Sequence, residues 1–301
     1  MTVSICTLAY GRAAHLTNLV LGLIQSDTHP DELVIAVMQD EPYDLPDTPF
    51  PVHQLMLTGT TIALARARNM AARKASGDLL IFLDVDCIPA PACVSDYIAA
   101  SQSADGVMMG EVGYLTKEAT DKGIDFERFA KVAVQHADRG GPPEGLLGAC
   151  EDYRCFWSLN FAMSAECFAA SGGFDEAFDG YGGEDTDFSR TLFEQGVPLW
   201  WVRGAKAYHQ YHPHFMPPVH HLDSVLANAA TFARKWGHPT MDHWLRAFAL
   251  MGLIEQTEDG GRKLREPGER EFAMTRQQAD QPYASTAVVL AALEAEALAA
   301  A

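Results

Sequence analysis

The stretch Leu80-Ile81-Phe82-Leu83-Asp84-Val85-Asp86-Cys87-Ile88 limits the folds open to this chain more than any other. An apolar run with no polar face predicts a strand buried on both sides, as in a parallel sheet covered by helices. The run ends in two acids one residue apart. If the strand continues, its alternation sets Asp84 and Asp86 on the same side. Two carboxylates at the mouth of a buried strand repel each other and lose hydration, which is costly without a cation or a set of donors. The pair reads either as a divalent-metal site or as the polar turn where the strand stops, since Pro89 and Pro91 follow directly.

The residues before this stretch supply the rest of a parallel sheet. Val3 to Leu8 predicts a first strand, broken at Ala9-Tyr10-Gly11-Arg12, and Leu16, Leu19, Val20, Leu23 and Ile24 then recur at helical spacing. Leu33 to Met38 predicts a second strand ending in Gln39-Asp40-Glu41-Pro42, and Val52 to Leu57 a third. Gly59-Thr60-Thr61 reads as a loop and helix start. Ile62 to Lys74 follows as an alanine-rich helix with Arg66, Arg68 and Asn69 on its polar side, and Ser76-Gly77 ends it. This is a βαβ opening. Ligands of open α/β sheets bind beyond the carboxyl ends of the strands, so one crevice can collect Tyr10, Arg12, Asp40, Asp84 and Asp86.

Downstream, Pro91 to Ser101 predicts a helix and Gly106 to Leu115 a strand with imperfect alternation. Periodicity fades from Thr116 to Glu151, around the loop signal Gly140-Gly141-Pro142-Pro143, and this segment reads either as a lid or as a surface excursion. Phe156 to Met163 predicts a strand and Ser164 to Ser171 a short helix. Then come Gly172-Gly173-Phe174-Asp175-Glu176 and Gly182-Gly183-Glu184-Asp185-Thr186-Asp187, whose glycine pairs let backbone approach a ligand closely. The acids open a helix with Phe188 and Leu192 facing inward. They can serve as N-terminal anions or as a catalytic cluster beneath a glycine turn. Leu199 to Val202 and Ala205 to Tyr208 are short strands leading into His209-Gln210-Tyr211-His212-Pro213-His214, with His220-His221 beyond. Residues 222–237 and 241–254 predict helices, Glu255 to Glu271 a polar loop, and Ala284 to Ala301 a helix of high propensity with a packing or oligomer role.

Composition narrows the class. With 301 residues, 48% hydrophobic and 21% charged, the chain can bury the core of one large α/β domain with an appendage. A net charge of -18, from 22 basic and 40 acidic residues, argues against non-specific binding to nucleic acid or anionic lipid. No apolar run approaches the ~20 residues of a membrane span, and the N-terminus lacks a basic flank with an apolar signal core, so a cytoplasmic location is expected. The six cysteines (Cys6, Cys87, Cys93, Cys150, Cys155 and Cys167) form no CxxC pair and read as reduced core residues.

In their order, the Tyr10-Gly11-Arg12 turn, the Ala65-Arg66-Ala67-Arg68-Asn69 helix, Asp84-Val85-Asp86, Gly172-Gly173-Phe174-Asp175-Glu176, Gly182-Gly183-Glu184-Asp185 and the histidines resemble the GT-A nucleotide-sugar glycosyltransferases. The resemblance is to the inverting family that includes chondroitin-type polymerases and galactosyltransferases, and runs from about residue 3 to 215. It implies an α/β GT-A fold: a mostly parallel central sheet flanked by helices over residues 1–221, with a helical extension over 222–301. The nucleotide-binding half is expected at about 1–115 and the acceptor half at about 116–221.

The implied reaction moves a sugar from a UDP-sugar to a hydroxyl of a saccharide or other small acceptor, with inversion. A cation bridging the leaving diphosphate suits carboxylate and imidazole ligands, so Mn2+ (or Mg2+) is expected on Asp86 with His209, His212 being the second candidate. The resemblance makes Asp185 the base, with Glu184 orienting a substrate. Thr7, Tyr10, Arg12, Asp40, Arg66, Arg68, Asn69, Asp84, Val85 and Gly183 are expected on the nucleotide sugar, where Asp40 can accept from a uracil N–H. Trp157 and Tyr181 are expected on the acceptor. The chain departs from many such sequences in placing Gln39-Asp40-Glu41-Pro42 after its second strand. A nucleotidyltransferase, or a non-catalytic sugar- or nucleotide-binding protein on the same fold, are the alternatives.

Overall fold

The computed structural model describes residues 1–59 and 62–300. Thr60 and Thr61, expected at a helix start, lie outside the described residues. In chain order the elements are β1 (Val3–Ala9), α1 (Ala13–Ile24), β2 (Glu32–Val37), β3 (Val52–Met56), α2 (Leu64–Lys74), β4 (Leu79–Leu83), β5 (Cys87–Pro89), α3 (Cys93–Ser101), β6 (Val107–Met109) and β7 (Val112–Tyr114). They continue with α4 (Phe126–Val132), β8 (Leu147–Cys150), β9 (Asn160–Ser164), α5 (Ala165–Ser171), α6 (Glu184–Glu194), β10 (Leu199–Val202) and β11 (Ala207–His209). The C-terminal part holds α7 (Leu222–Trp236), α8 (Asp242–Leu250), β12 (Ile254–Thr257), β13 (Gly260–Lys263), α9 (Glu269–Thr275) and α10 (Thr286–Ala300).

Eight strands form the central sheet in the order β3-β2-β1-β4-β9-β6-β10-β8. Neighbours are parallel except where β9 lies between β4 and β6 and where β8 pairs with β10. Every residue of β1, β2 and β4 is buried, as a sheet covered on both faces requires. Period-two alternation then divides the core. Ile5, Leu33, Ile35 and Ile81 pack on one face with Leu16 and Leu19 of α1 and Tyr97 of α3. Cys6, Val34, Leu80 and Phe82 pack on the other with Ala67 of α2, Phe161 and Phe188. Each large side chain so buried contributes roughly 1.5–3 kcal/mol, which is why these three strands fix the frame.

Four expectations need correction. The buried strand stops at Leu83, and Asp84 to Asp86 form a turn in which the Asp84 carbonyl accepts the Cys87 N–H at 2.8 Å. Strand alternation therefore does not relate the two acids. The single strand expected over Gly106 to Leu115 is two, β6 in the central sheet and β7 in a three-stranded sheet ordered β5-β11-β7. Residues 116–151 are not featureless, since they hold α4 and β8. Finally, the segment expected as a loop from Glu255 is largely a β12–β13 hairpin, and the preceding helix stops at Leu250, where Gly252 takes φ +67°. Val225, Leu245, Phe248 and Leu293 form a separate cluster among these C-terminal elements. Among the described residues no helix is long and apolar enough to cross a membrane.

Candidate active site

Asp86 sits at the carboxyl end of the sheet, 6% exposed, and gathers a guanidinium and two imidazoles from two distant parts of the chain. Gly11 and Arg12 are consecutive left-handed residues (φ +56° and +48°), a tight turn after β1 from which the Arg12 guanidinium reaches the Asp86 carboxylate. The last residue of β11 brings His209 Nε2 to 3.5 Å from Asp86 Oδ1, and His212 Nε2 lies 3.2 Å from Oδ2. Tyr114 stacks on the His209 ring with centroids 4.8 Å apart. Burial pushes the Asp86 carboxyl up, but His209, His212 and Arg12 outweigh it and hold the group well below the usual carboxylate range. Burial drives His209 down to about 4 against the pull of Asp86. Asp86, His209 and His212 thus offer one oxygen and two imidazole nitrogen donors, all within 4.8 Å of one another. That donor set fits a divalent ion such as Mn2+.

The second acid cluster opens α6. Gly180, Gly182 and Gly183 all take positive φ, and Gly183, at +87°, is the residue that caps the helix. A side chain would be strained there, so glycine sets the angle at which Glu184 and Asp185 enter the cleft. Arg68, buried in α2, ties the two clusters together: Nη2 donates to Asp84 Oδ1 and Nη1 to Glu184 Oε1, both at 3.1 Å. Burial raises the Asp84 carboxyl to about 6, with Arg68 opposing. Asp185 rises to about 7 through burial and the neighbouring Glu184. A helix N-terminus ordinarily stabilises an anion. Here burial beside a like charge outweighs it.

One cleft of about 1190 Å³ joins these groups. Of the residues expected at the site, Tyr10, Arg12, Arg68, Asp84, Val85, Asp86, Trp157, Tyr181, Gly183, Glu184, Asp185, His209 and His212 line it. Four lie elsewhere. Asp40 is exposed outside the lining, and it is Gln39 that accepts the Gly11 N–H, at 3.2 Å. Arg66 faces Glu176 across 3.9 Å on the surface. Asn69 is spent on structure, donating to the Phe174 carbonyl at 2.8 Å and accepting the Phe174 N–H at 2.9 Å, which holds the Gly172-Gly173 turn. Thr7 is buried and outside the lining. Several lining residues were not expected: Tyr114, His136, Trp244 and Tyr283. His136 falls in a segment without periodicity, and Trp244 and Tyr283 in the C-terminal extension, where no site residue was expected, so only the tertiary fold brings them in.

This sheet, with acids at the ends of β4 and α6 and histidines after β11, is the GT-A architecture of glycosyltransferases. Residues 53–199 match the family model described as glycosyltransferase like family 2. A curated relative, the validoxylamine A glucosyltransferase of Streptomyces hygroscopicus subsp. limoneus, is 26% identical over 266 residues, covering 79% of this chain and 57% of that protein. The chain thus spans little more than half of that relative's length. Among solved structures, S. aureus TarS 1-349 in complex with UDP-GlcNAc superposes with a TM-score of 0.51 at 14% identity, over 82% of this chain and 70% of that one. GalNAc-T7 with UDP, GalNAc and Mn2+ superposes at 0.50 and 16% identity, over 70% of this chain and 43% of that one.

Proposed function

We propose that the protein is a metal-dependent glycosyltransferase that moves a sugar from a UDP-sugar to an acceptor hydroxyl with inversion. The observation that carries this reading is the Arg68 bridge between Asp84 and Glu184, the chain neighbours of Asp86 and Asp185, in the one cleft that all four line. The solved neighbours held UDP-GlcNAc in one case and UDP, GalNAc and Mn2+ in another, which supports the donor and the ion. Asp86, His209 and His212 would hold the metal, which when bound supplies a Lewis acid for the charge growing on the departing diphosphate. Leu8, Tyr10 and Met38, at the carboxyl ends of β1 and β2, line the part of the cleft where a nucleoside fits. Arg12 lies beside Asp86 and can donate to phosphate oxygens.

Asp185 takes the proton of the acceptor hydroxyl on the face of the sugar opposite the diphosphate. A pKa of about 7 matches a general base acting near neutrality better than an ordinary aspartate would. Glu184 is held in place by Arg68 and positions a substrate hydroxyl. The full chain incubated with UDP-glucose, UDP-GlcNAc, UDP-galactose or UDP-GalNAc and Mn2+ is expected to release UDP, with EDTA stopping the release and added Mn2+ restoring it. Undiminished release in EDTA would reject the metal. Asp185→Asn is expected to bind UDP normally in calorimetry while transfer falls by roughly 10²–10⁴-fold; normal transfer would place the base elsewhere.

A further inference from the structure

The C-terminal residues hold the loop that presents Asp185. Asn228 of α7 donates to the carbonyls of Asp179 (3.0 Å) and Gly182 (2.8 Å), and Ser224 Oγ accepts the Tyr181 N–H at 3.2 Å. From α8, the Trp244 ring packs so tightly over Gly182 that an added methyl there would lie 3.1 Å from Trp244 Cζ3. Tyr181 stacks on Trp244 at 5.9 Å and 20°, and on His221 at 4.8 Å and 16°. Tyr181, Trp244 and His221 all line the cleft, so an aromatic wall flanks the base. The C–H face of a sugar or cyclitol ring is apolar and lies well on such a wall, with its hydroxyls left at the rim.

Charge restricts the ring further. Among the described residues, the cleft lining holds three arginines and no lysine, and each arginine is already paired: Arg12 with Asp86, Arg68 with Asp84 and Glu184, Arg154 with Asp152. Asp242 and Glu151 add further negative charge to the same lining. An anionic acceptor would lose water there without gaining a counter-ion.

Resting on the transferase reading, we propose that the acceptor subsite is built by α8 and the 179–183 loop, with Trp244 as its platform, and that it takes neutral or amine-bearing ring polyols while excluding anionic ones. The test uses the full chain with UDP and Mn2+ and four probes: methyl glucoside, methyl glucosaminide, methyl glucuronide and glucose 6-phosphate. Saturation-transfer NMR titration is expected to show the first two binding at least about tenfold more tightly than the two anions, a gap of roughly 1.4 kcal/mol. Trp244→Leu should weaken the favoured pair by about tenfold and leave the affinity for UDP unchanged, and Trp244→Phe should retain most of the binding. Asp242→Lys, at an exposed position, should admit methyl glucuronide. Equal or tighter binding of the anions, indifference to Trp244→Leu in a folded variant, indifference of anion exclusion to Asp242→Lys, or no binding of any ring would overturn the proposal. UDP release from donors alone is scored separately, so a failure of the transferase reading is distinguished from a failure of this subsite.

Discussion

A guanidinium 4% exposed, as Arg68 is, survives burial only because it is answered on two sides, by Asp84 and Glu184. The helix pattern placed Arg68 on a polar face, but pattern alone does not tell a phosphate ligand from an internal brace. Asp84 and Asp86 illustrate the same limit. Their type and spacing were legible, whereas their separate partners follow from a turn that no periodicity encodes. Asp185 allows a sharper prediction. Its folded-state pKa of about 7 lies above the ordinary aspartate value, so the folded protein holds that proton more tightly than the unfolded chain. The associated stability is complete at low pH and is lost as pH rises through about 7. Asp185→Asn should therefore melt higher than the parent at pH 8 by a few degrees, with the gap shrinking toward pH 5, and parent activity should rise through the same titration. A gap independent of pH in calorimetry would show that Asp185 is not so perturbed.

At the scale of elements, the parallel strands were readable because burial on both faces leaves continuous apolar runs, as in Ile5 to Leu8 and Leu33 to Val37. What was not readable was the change of sheet at Gly110. A Cβ there would stand 2.2 Å from the Ala205 carbonyl oxygen and 2.6 Å from Asn160 Nδ2, so β6 passes into β7 through a gap that only glycine fits. Asn160 closes that junction, donating to the Ala205 carbonyl at 2.8 Å and to that of Glu111 at 3.0 Å, while its Oδ1 accepts from Tyr97 at 2.8 Å. Because β11, which carries His209, pairs with β7, an error at the junction propagates to the histidines. Gly110→Ala should destabilise the fold by about 1–3 kcal/mol through overpacking and weaken Mn2+ binding in calorimetry. Unchanged metal affinity would mean that the two sheets are set independently.

Over the whole molecule, the C-terminal residues are the part the sequence described least well, because an alanine-rich helix and a polar hairpin carry little positional information. Their contacts nevertheless run into the cleft through Asn228, Trp244 and Tyr283, the last packing on His136 with centroids 4.0 Å apart. A chain ending at His221 should lose UDP release and become susceptible to proteolysis in the 172–183 loop. Retained turnover would confine those residues to a packing role. The position of β9 also bears on how the protein comes to be made. Strands β1 to β4 all arise from residues 3–83 and can assemble among themselves, but β4 meets its other neighbour only through pairings such as Ile81↔Ala162. During synthesis, the first half of the sheet therefore emerges with an apolar, unpaired edge that stays open until residue 164 has left the ribosome. A chaperone occupying that edge guards the interval in which nascent chains would otherwise pair with one another.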